Sequence, residues 1–209
     1  MRKYKGVESK TTTVGIKLRD YVILAADKRA TAGLYVAHKY VDKIIFIKDY
    51  AAITMSGLVA DAQYLTEIAK YISSDMELSI GVRPSIRSIA SYVSLLLSIY
   101  LRYIPFVVQA VLGGYDSAPR LYYIDMLGTL SEEDYAATGS GSPIAIGILE
   151  QYYDKNMELS EAKKLAVSAV KSAIERDAWT GTGVDVVTIG SKGVTKETIL
   201  FSKVHAVKQ

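Results

Sequence analysis

Three consecutive threonines, Thr11 to Thr13, directly follow a charged ten-residue leader and open an alternating segment typical of a strand. A hydroxyl is a poor nucleophile until a base removes its proton. An N-terminal threonine can use its own amine as that base, because the amine lies close by and ordinarily has a pKa of about 7.7–8.0. This chemistry would require removal of the leader. The other interpretation of the run is structural, since threonine is common in strands.

Other kinds of catalytic chemistry find little support in the sequence. There are two histidines, His38 and His205, and no cysteine. A Ser-His-Asp triad needs a histidine beside an activated serine, and the G-x-S-x-G pattern is absent. A zinc site would have to combine both histidines with carboxylates. The glycine-rich runs TGSGSP (138–143) and TGTG (180–183) fit neither phosphate-binding pattern, so we interpret them as tight turns.

Composition and charge distribution predict a soluble cytoplasmic protein. The 209 residues suit one domain, and 22% of them are charged. The net charge of +3 equals that of the first ten residues, so the rest of the chain sums to zero, and its sequence shows no gathering of Lys and Arg that would bind nucleic acid. The leader lacks the apolar core of a signal peptide, and the longest apolar-rich stretch, residues 92–101, is too short to span a membrane. We expect neither nucleic-acid nor membrane binding.

The hydrophobic pattern predicts strands, two helices, strands, two helices and strands. The predicted strands are residues 12–18, 21–27, 34–37, 43–47, 51–57, 107–113, 120–125, 135–138, 184–189 and 198–203. The predicted helices cover about 59–74, 84–103, 142–153 and 160–177, with Pro84 in a first turn and Ser160 as a cap. The second helix is apolar around much of its circumference, so we expect it to be buried. This order predicts two stacked sheets with helices on both outer faces.

Several segments of the chain together resemble the proteasome β-subunit family. They are TTTVGIKLRDYVILAADKRA, KIIFIKD, TMSGLVADAQ, LGGYD, AATGSGSPIAIGILE and ERDAWTGTGVDV. The resemblance covers nearly everything from residue 11 to residue 203. It implies an α+β fold, the four-layer αββα sandwich of the N-terminal nucleophile hydrolases. It also implies a propeptide, residues 1–10, followed by a single catalytic domain, residues 11–209.

The same resemblance implies a threonine endopeptidase site. Thr11 matches the nucleophile, and Asp27 and Lys43 match the acid and the lysine beside it. Gly57 matches the residue whose backbone N–H faces the oxyanion. Ser140 and Asp177 match a supporting pair near the nucleophile, and Arg29 and Thr180 match further supporting residues. No metal or cofactor is implied.

The resemblance extends to a substrate pocket and to partners. The positions that line the pocket in the family are all uncharged here, so we expect cleavage after large apolar residues. These pocket positions are Ala30, Val41, Ile45, Met55 and Val59. The implied partners are proteasome α subunits and other β subunits in stacked seven-membered rings. An ATP-dependent unfoldase cap and unfolded polypeptide substrates are implied as well.

The chain departs from the family pattern at two positions. Self-processing members usually have glycine before the threonine, and this chain has Lys10 at the predicted cleavage site between Lys10 and Thr11. Glycine bends at no steric cost, whereas lysine is bulkier, so processing could be slow, assisted by a neighbour or blocked. The second departure is Thr180, where the family usually has serine, which keeps the hydroxyl and adds a methyl group.

Three other functional interpretations stay open on the sequence alone. The chain could be a non-catalytic structural subunit of the β ring that retains its propeptide, which Lys10 favours. It could be a bacterial-type two-ring threonine protease, although those chains are shorter and have almost no leader. An α-type ring subunit is disfavoured because nothing before Thr11 resembles a gate-forming helix.

Overall fold

The computed structural model describes residues 8–201, which form thirteen strands and four helices. The strands are β1 (Glu8–Ser9), β2 (Thr13–Lys17), β3 (Tyr21–Asp27), β4 (Ala30–Ala32), β5 (Tyr35–His38), β6 (Ile44–Lys48), β7 (Ala51–Leu58), β8 (Val108–Tyr115), β9 (Pro119–Ile124), β10 (Leu130–Glu132), β11 (Tyr135–Thr138), β12 (Gly183–Gly190) and β13 (Gly193–Leu200). The helices are α1 (Val59–Ile80), α2 (Ile86–Tyr100), α3 (Ser142–Tyr152) and α4 (Leu159–Arg176).

The strands pair into two larger antiparallel sheets. In the first sheet the order is β1-β7-β8-β9-β10, and β6 also pairs with β7. In the second sheet the order is β11-β2-β3-β12-β13. The remaining strands, β4 and β5, form a separate hairpin.

Three apolar clusters join the sheets and helices into four layers. The helices α1 and α2 pack on the first sheet through residues such as Leu65 and Val93. The helices α3 and α4 pack on the second sheet through residues such as Leu149 and Val170. Between the sheets lies a third cluster that includes Leu24 of β3 and Val111 of β8. The αββα sandwich is therefore confirmed, with both helix pairs on the outer faces.

Most predicted strands are present, but short strands were missed. β1, β4 and β10 have only two or three residues each, too few to show alternation. The last strand was predicted at 198–203, whereas β13 covers Gly193–Leu200 because its register with β12 begins at the Gly190–Gly193 pair. Residues 202 and 203 lie outside the described residues, as do His205 and residues 1–7 of the predicted propeptide.

The helix ends also needed correction. The first helix continues to Ile80, where Gly81 adopts a left-handed conformation with φ of 73°. Pro84 precedes the second helix, whose cap is Ser85; its hydroxyl accepts a hydrogen bond from the backbone N–H of Ser88. The cap of α4 is Glu158, so the prediction of Ser160 as a cap was wrong.

The second helix is buried on one face only. Ile89, Val93 and Leu97 are buried against the first sheet, whereas Leu95 and Ile99 are about half exposed. The prediction of a buried helix is therefore correct for that face and wrong for the other face of this single chain. Among residues 8–201, none of the helices is long and apolar enough to cross a membrane.

Candidate active site

Thr11 lies between β1 and β2 and is fully buried. Its hydroxyl donates a hydrogen bond to Asp27 Oδ1 and accepts one from Lys43 Nζ. Lys10 precedes Thr11 in the chain, so the Thr11 nitrogen is part of a peptide bond. The hydroxyl is thus held between an acid and an amine while the α-amine is unavailable.

Asp27 ends β3 and is the point on which the other groups converge. Its Oδ1 lies 2.6 Å from Lys43 Nζ and accepts a hydrogen bond from the Thr12 backbone N–H at 3.1 Å. Its Oδ2 accepts hydrogen bonds from the backbone N–H groups of Arg29 at 3.0 Å and Gly181 at 2.9 Å. With both oxygens occupied and only 1% of the residue exposed, the carboxylate is held in a fixed orientation.

Lys43 stands directly before β6, in the segment that follows β5. Its side chain is only 4% exposed. Burial lowers the pKa of the Lys43 amine below its ordinary value of 10.5, while the negative charge of Asp27 acts in the opposite direction. The amine therefore releases its proton more readily than an exposed lysine does.

A chain of hydroxyl groups links the start of β2 to the end of α4. Asp177 follows α4, and its Oδ2 accepts hydrogen bonds from Ser140 Oγ at 2.6 Å and from the Thr180 hydroxyl. The Thr180 hydroxyl also lies 2.8 Å from Thr12 Oγ1. These contacts connect the predicted supporting residues to the residue next to Thr11. The Arg29 guanidinium joins the same region by donating to the Ala178 carbonyl oxygen at 3.3 Å.

Two glycines allow close backbone approach near Thr11. Gly139 has φ of 92°, and a Cβ atom there would overlap the Thr11 carbonyl oxygen. Gly57 has φ of 128°, and a Cβ atom there would overlap the Val107 carbonyl oxygen. Side chains rarely adopt these conformations, so both positions need glycine.

The segment before Thr11 occupies the edge of the first sheet. Ser9 pairs with Gly57 and Glu8 with Leu58, so β1 extends the sheet beyond β7, and it also lies beside β4. The Lys10 ammonium lies 3.8 Å from the centre of the Trp179 ring, a cation–π contact. A cavity of about 220 Å³ beside this segment is lined in part by Lys10, Gly57 and Ser140.

The predicted pocket residues are only partly brought together. Ile45 and Met55 lie on neighbouring strands, β6 and β7, and both pack in the cluster between the first sheet and its helices. Ala30 is buried at the start of β4, and Val41 and Val59 are half-buried, but none of these three belongs to that cluster. The apolar pocket stays a prediction.

Comparison with known proteins assigns the family. Residues 7–189 match the family described as "Proteasome subunit". The chain belongs to the proteasome subunit family. It is 57% identical over 196 residues to proteasome subunit beta 2 of Desulfurococcus amylolyticus, a match that covers 93% of this chain and 95% of that protein.

Two further relatives place this proteasome subunit among the archaeal-type β subunits. Proteasome subunit beta 2 of Staphylothermus marinus is 54% identical over 200 residues, covering 95% of this chain and 96% of that protein. Proteasome subunit beta 1 of Saccharolobus islandicus is 50% identical over 183 residues, covering 88% and 86%. The resemblance inferred from the sequence segments is therefore confirmed.

Sequence reasoning missed four residues of this candidate site. Thr12 and Gly181 donate backbone hydrogen bonds to Asp27, Gly139 contacts the Thr11 carbonyl, and Trp179 contacts Lys10. The TGSGSP and TGTG runs offer a signal for Gly139 and Gly181, but the family resemblance draws attention only to Ser140 and Thr180 within them. Within residues 8–201 no cluster of three or more histidine, aspartate or glutamate residues could hold a metal ion.

Proposed function

We propose that this β subunit is a threonine-type endopeptidase whose nucleophile, Thr11, becomes N-terminal after removal of residues 1–10. The observation that carries the proposal is the position of the Thr11 hydroxyl, which contacts both Lys43 Nζ and Asp27 Oδ1. All three groups are buried, so the contacts act in a region of low dielectric.

Removal of the leader begins with attack of Thr11 Oγ1 on the Lys10 carbonyl carbon. The C–N bond between the two residues breaks, the Thr11 nitrogen gains a proton, and an ester to the Thr11 oxygen forms. Water then hydrolyses the ester, which releases residues 1–10 with a terminal carboxylate and leaves a free Thr11 amine. Lys43 is suited to accept the hydroxyl proton in this step, because the Thr11 amine does not yet exist and burial lowers the lysine pKa.

Substrate hydrolysis repeats the chemistry with the freed amine as proton acceptor. Thr11 Oγ1 attacks a peptide carbonyl, the amine transfers the proton to the leaving nitrogen, and water hydrolyses the threonyl ester. The positive charge near the nucleophile favours its deprotonated form. The Gly57 N–H stabilises the oxyanion, an interaction typically worth about 3 kcal/mol in the transition state.

The proposed substrates are unfolded polypeptides cut after large apolar residues. Met55 is a flexible apolar wall, and the other predicted pocket residues are uncharged. The subunit would act in the cytoplasm, within stacked seven-membered rings of α and β subunits that receive chains from an ATP-dependent unfoldase. The names of the relatives, which are proteasome β subunits numbered 1 and 2, support an assembly of this kind.

A structural β subunit that retains its leader is the second candidate function. The contact between Lys10 and Trp179 and the pairing of β1 with β7 favour it, because both hold the leader in place. The buried Thr11–Asp27–Lys43 cluster favours the catalytic proposal, since a purely structural subunit has no chemical need for it.

The test compares Thr11→Ala with the unaltered chain, each assembled with its α partner. The unaltered particle should cleave a fluorogenic peptide with a large apolar residue before the scissile bond, and the Thr11→Ala particle should be inactive and retain its leader. Thr195→Ala, an exposed threonine on β13, is the control and should keep full activity. Equal activity in the Thr11→Ala particle would exclude Thr11 as the nucleophile.

A further inference from the structure

Two ion pairs join the adjacent residues Asp27 and Lys28 to the adjacent residues Asp42 and Lys43. Asp27 pairs with Lys43 at 2.6 Å, and the next residue, Lys28, pairs with Asp42 at 2.9 Å. An acid and a base are thus adjacent at the end of β3, and an acid and a base are adjacent just before β6. Only the first pair touches Thr11.

Lys43 lies in a segment that has few regular hydrogen bonds of its own. Residues 39–43, between β5 and β6, belong to no strand or helix. The backbone N–H of Val41 donates to the Lys28 carbonyl oxygen at 2.9 Å, and Asp42 accepts from the side chains of Lys28 and Lys196, each at 2.9 Å. Lys28 therefore holds the two residues that precede Lys43.

Lys28 is itself held by residues of the second sheet. Lys28 Nζ lies 2.6 Å from Oδ2 of Asp185, which is only 1% exposed. Asp185 also contacts Lys196 at 3.3 Å and accepts a hydrogen bond from Thr198 at 2.6 Å. Asp185 thus has partners without Asp42, so the contact from Lys28 to Asp42 is not needed to satisfy the buried carboxylate.

We propose that Asp42 and Lys28 are positioning residues that set the place of Lys43 beside Thr11. This proposal rests on the proposed threonine peptidase activity. Neither residue contacts the Thr11 hydroxyl. They act by fixing the backbone from which the Lys43 side chain extends, and small displacements of a reacting group lower rates strongly.

The position of Lys43 also sets how deeply its amine is buried. If the segment 41–43 loosens, the amine becomes more exposed and its pKa returns towards 10.5. Leader removal, the step in which the neutral Lys43 amine accepts a proton, then requires a higher pH. This shift separates a positioning role from a general effect on stability, which leaves the pH dependence of the folded enzyme unchanged.

The test substitutes Asp42→Asn, which keeps the shape of the side chain, removes its charge and leaves Lys28 paired with Asp185. The control is Asp134→Asn, another exposed acid in a lysine ion pair, at 3.1 Å from Lys17 and far from Thr11 in the fold. In assembled particles Asp42→Asn should lower kcat about tenfold with little change in KM. The rising acid limb of the pH profile of leader removal, the step in which Lys43 accepts the proton, should move to higher pH. Asp134→Asn should match the unaltered particle.

A second variant guards against a folding defect in the first. Lys28→Arg keeps the charge and the donors, so its kcat should stay much closer to that of the unaltered particle than Lys28→Gln does. An unchanged kcat and pH profile in Asp42→Asn would overturn the proposal. So would equal losses in Asp42→Asn and Asp134→Asn.

A measurement without catalysis keeps this proposal separate from the proposed function. In a Thr11→Ala background, the rate at which acetic anhydride modifies Lys43 can be followed by peptide mass spectrometry. Adding Asp42→Asn should move the midpoint of the pH dependence of that rate to higher pH, because the more exposed amine has a pKa nearer its ordinary value of 10.5. An equal midpoint with and without Asp42→Asn would overturn the positioning role, whether or not the subunit proves to be a peptidase.

Discussion

The ion pair between Asp27 and Lys43 joins the two sheets of the sandwich. Asp27 ends β3 in the second sheet, and Lys43 directly precedes β6 in the first, yet Lys43 Nζ lies 2.6 Å from Asp27 Oδ1. Thr11 contacts both side chains at this junction. The site therefore depends on the packing of one sheet against the other and not on any single element.

Replacing Lys43 by arginine should block removal of the leader. Arginine keeps a positive charge but does not deprotonate, and its planar fork does not fit the position of the lysine amine. Loss of proton transfer typically lowers a rate about 10²–10⁴-fold. The measurement is a time course of intact mass for Lys43→Arg after assembly. The control is Lys48→Arg, because Lys48 pairs with Glu77 away from Thr11, and this variant should process normally. Normal processing of Lys43→Arg would contradict the role given to the neutral amine.

The hydroxyl of Thr180 should contribute more to kcat than its methyl group does. Thr180→Ser keeps the contacts with Asp177 and Thr12, so kcat should change by less than about twofold. Thr180→Val removes the hydroxyl and leaves two buried polar groups short of a partner, which should lower kcat roughly tenfold or more. Steady-state peptidase assays on both assembled variants test this. Equal activities for serine and valine would show that the hydroxyl chain is unimportant for the reaction.

Lys10→Gly should speed removal of the leader. The substitution frees the bond before Thr11 to bend and removes the cation–π contact with Trp179. Trp179→Leu keeps Lys10 and removes that contact together with the hydrogen bond from Trp179 Nε1 to the Gly33 carbonyl oxygen at 3.3 Å; it should accelerate processing about two- to fivefold, as expected for a cation–π contact of about 0.5–1 kcal/mol. Intact mass against time after assembly gives both rates. Slower processing in both variants would indicate that the contact helps to position the bond that is cleaved.

Asp42 should contribute stability at neutral pH that is lost in acid. Hydrogen bonds from Lys28 and then Lys196 hold the pKa of Asp42 well below its ordinary value of 3.8. Below pH 3.8 the unfolded chain binds more protons at this residue than the folded chain does, so the contribution falls as the pH drops towards the folded pKa. The Asp42 side chain is 65% exposed, which limits the contribution to about 1 kcal/mol.

Urea unfolding at several pH values measures this contribution as the difference between the unaltered chain and Asp42→Asn. The difference in the free energy of unfolding should be constant between pH 5 and pH 7 and should shrink below about pH 3.8. A difference that grows in acid would contradict the assigned sign.

The element order was enough to predict the four layers, because long apolar strands and helices such as β7 and α2 have clear periodicity. The strand β1 could not be predicted, since it forms only where β7 offers a free edge next to Gly57. The exposed face of α2 shows a related limit. An apolar pattern predicts that a helix face is buried, but it does not indicate whether the residues that bury it belong to the same chain.

The candidate site was predicted through the family resemblance and not from the residues alone. Thr11 and Lys43 are 32 positions apart, and no local pattern indicates that they meet. The three threonines by themselves are better explained as strand residues. The contribution of Gly181 was missed because its backbone N–H, not its side chain, binds Asp27. Every residue type except proline has a backbone N–H, so the sequence does not indicate which residue will donate one.

The most direct test of the central claim is the intact mass of this chain after assembly with its α partner. The account predicts loss of residues 1–10, which leaves Thr11 at the N-terminus, and it predicts that a Thr11→Ala chain keeps its full mass. A fully assembled particle whose β chain still carries residues 1–10 would contradict the account and favour a structural subunit.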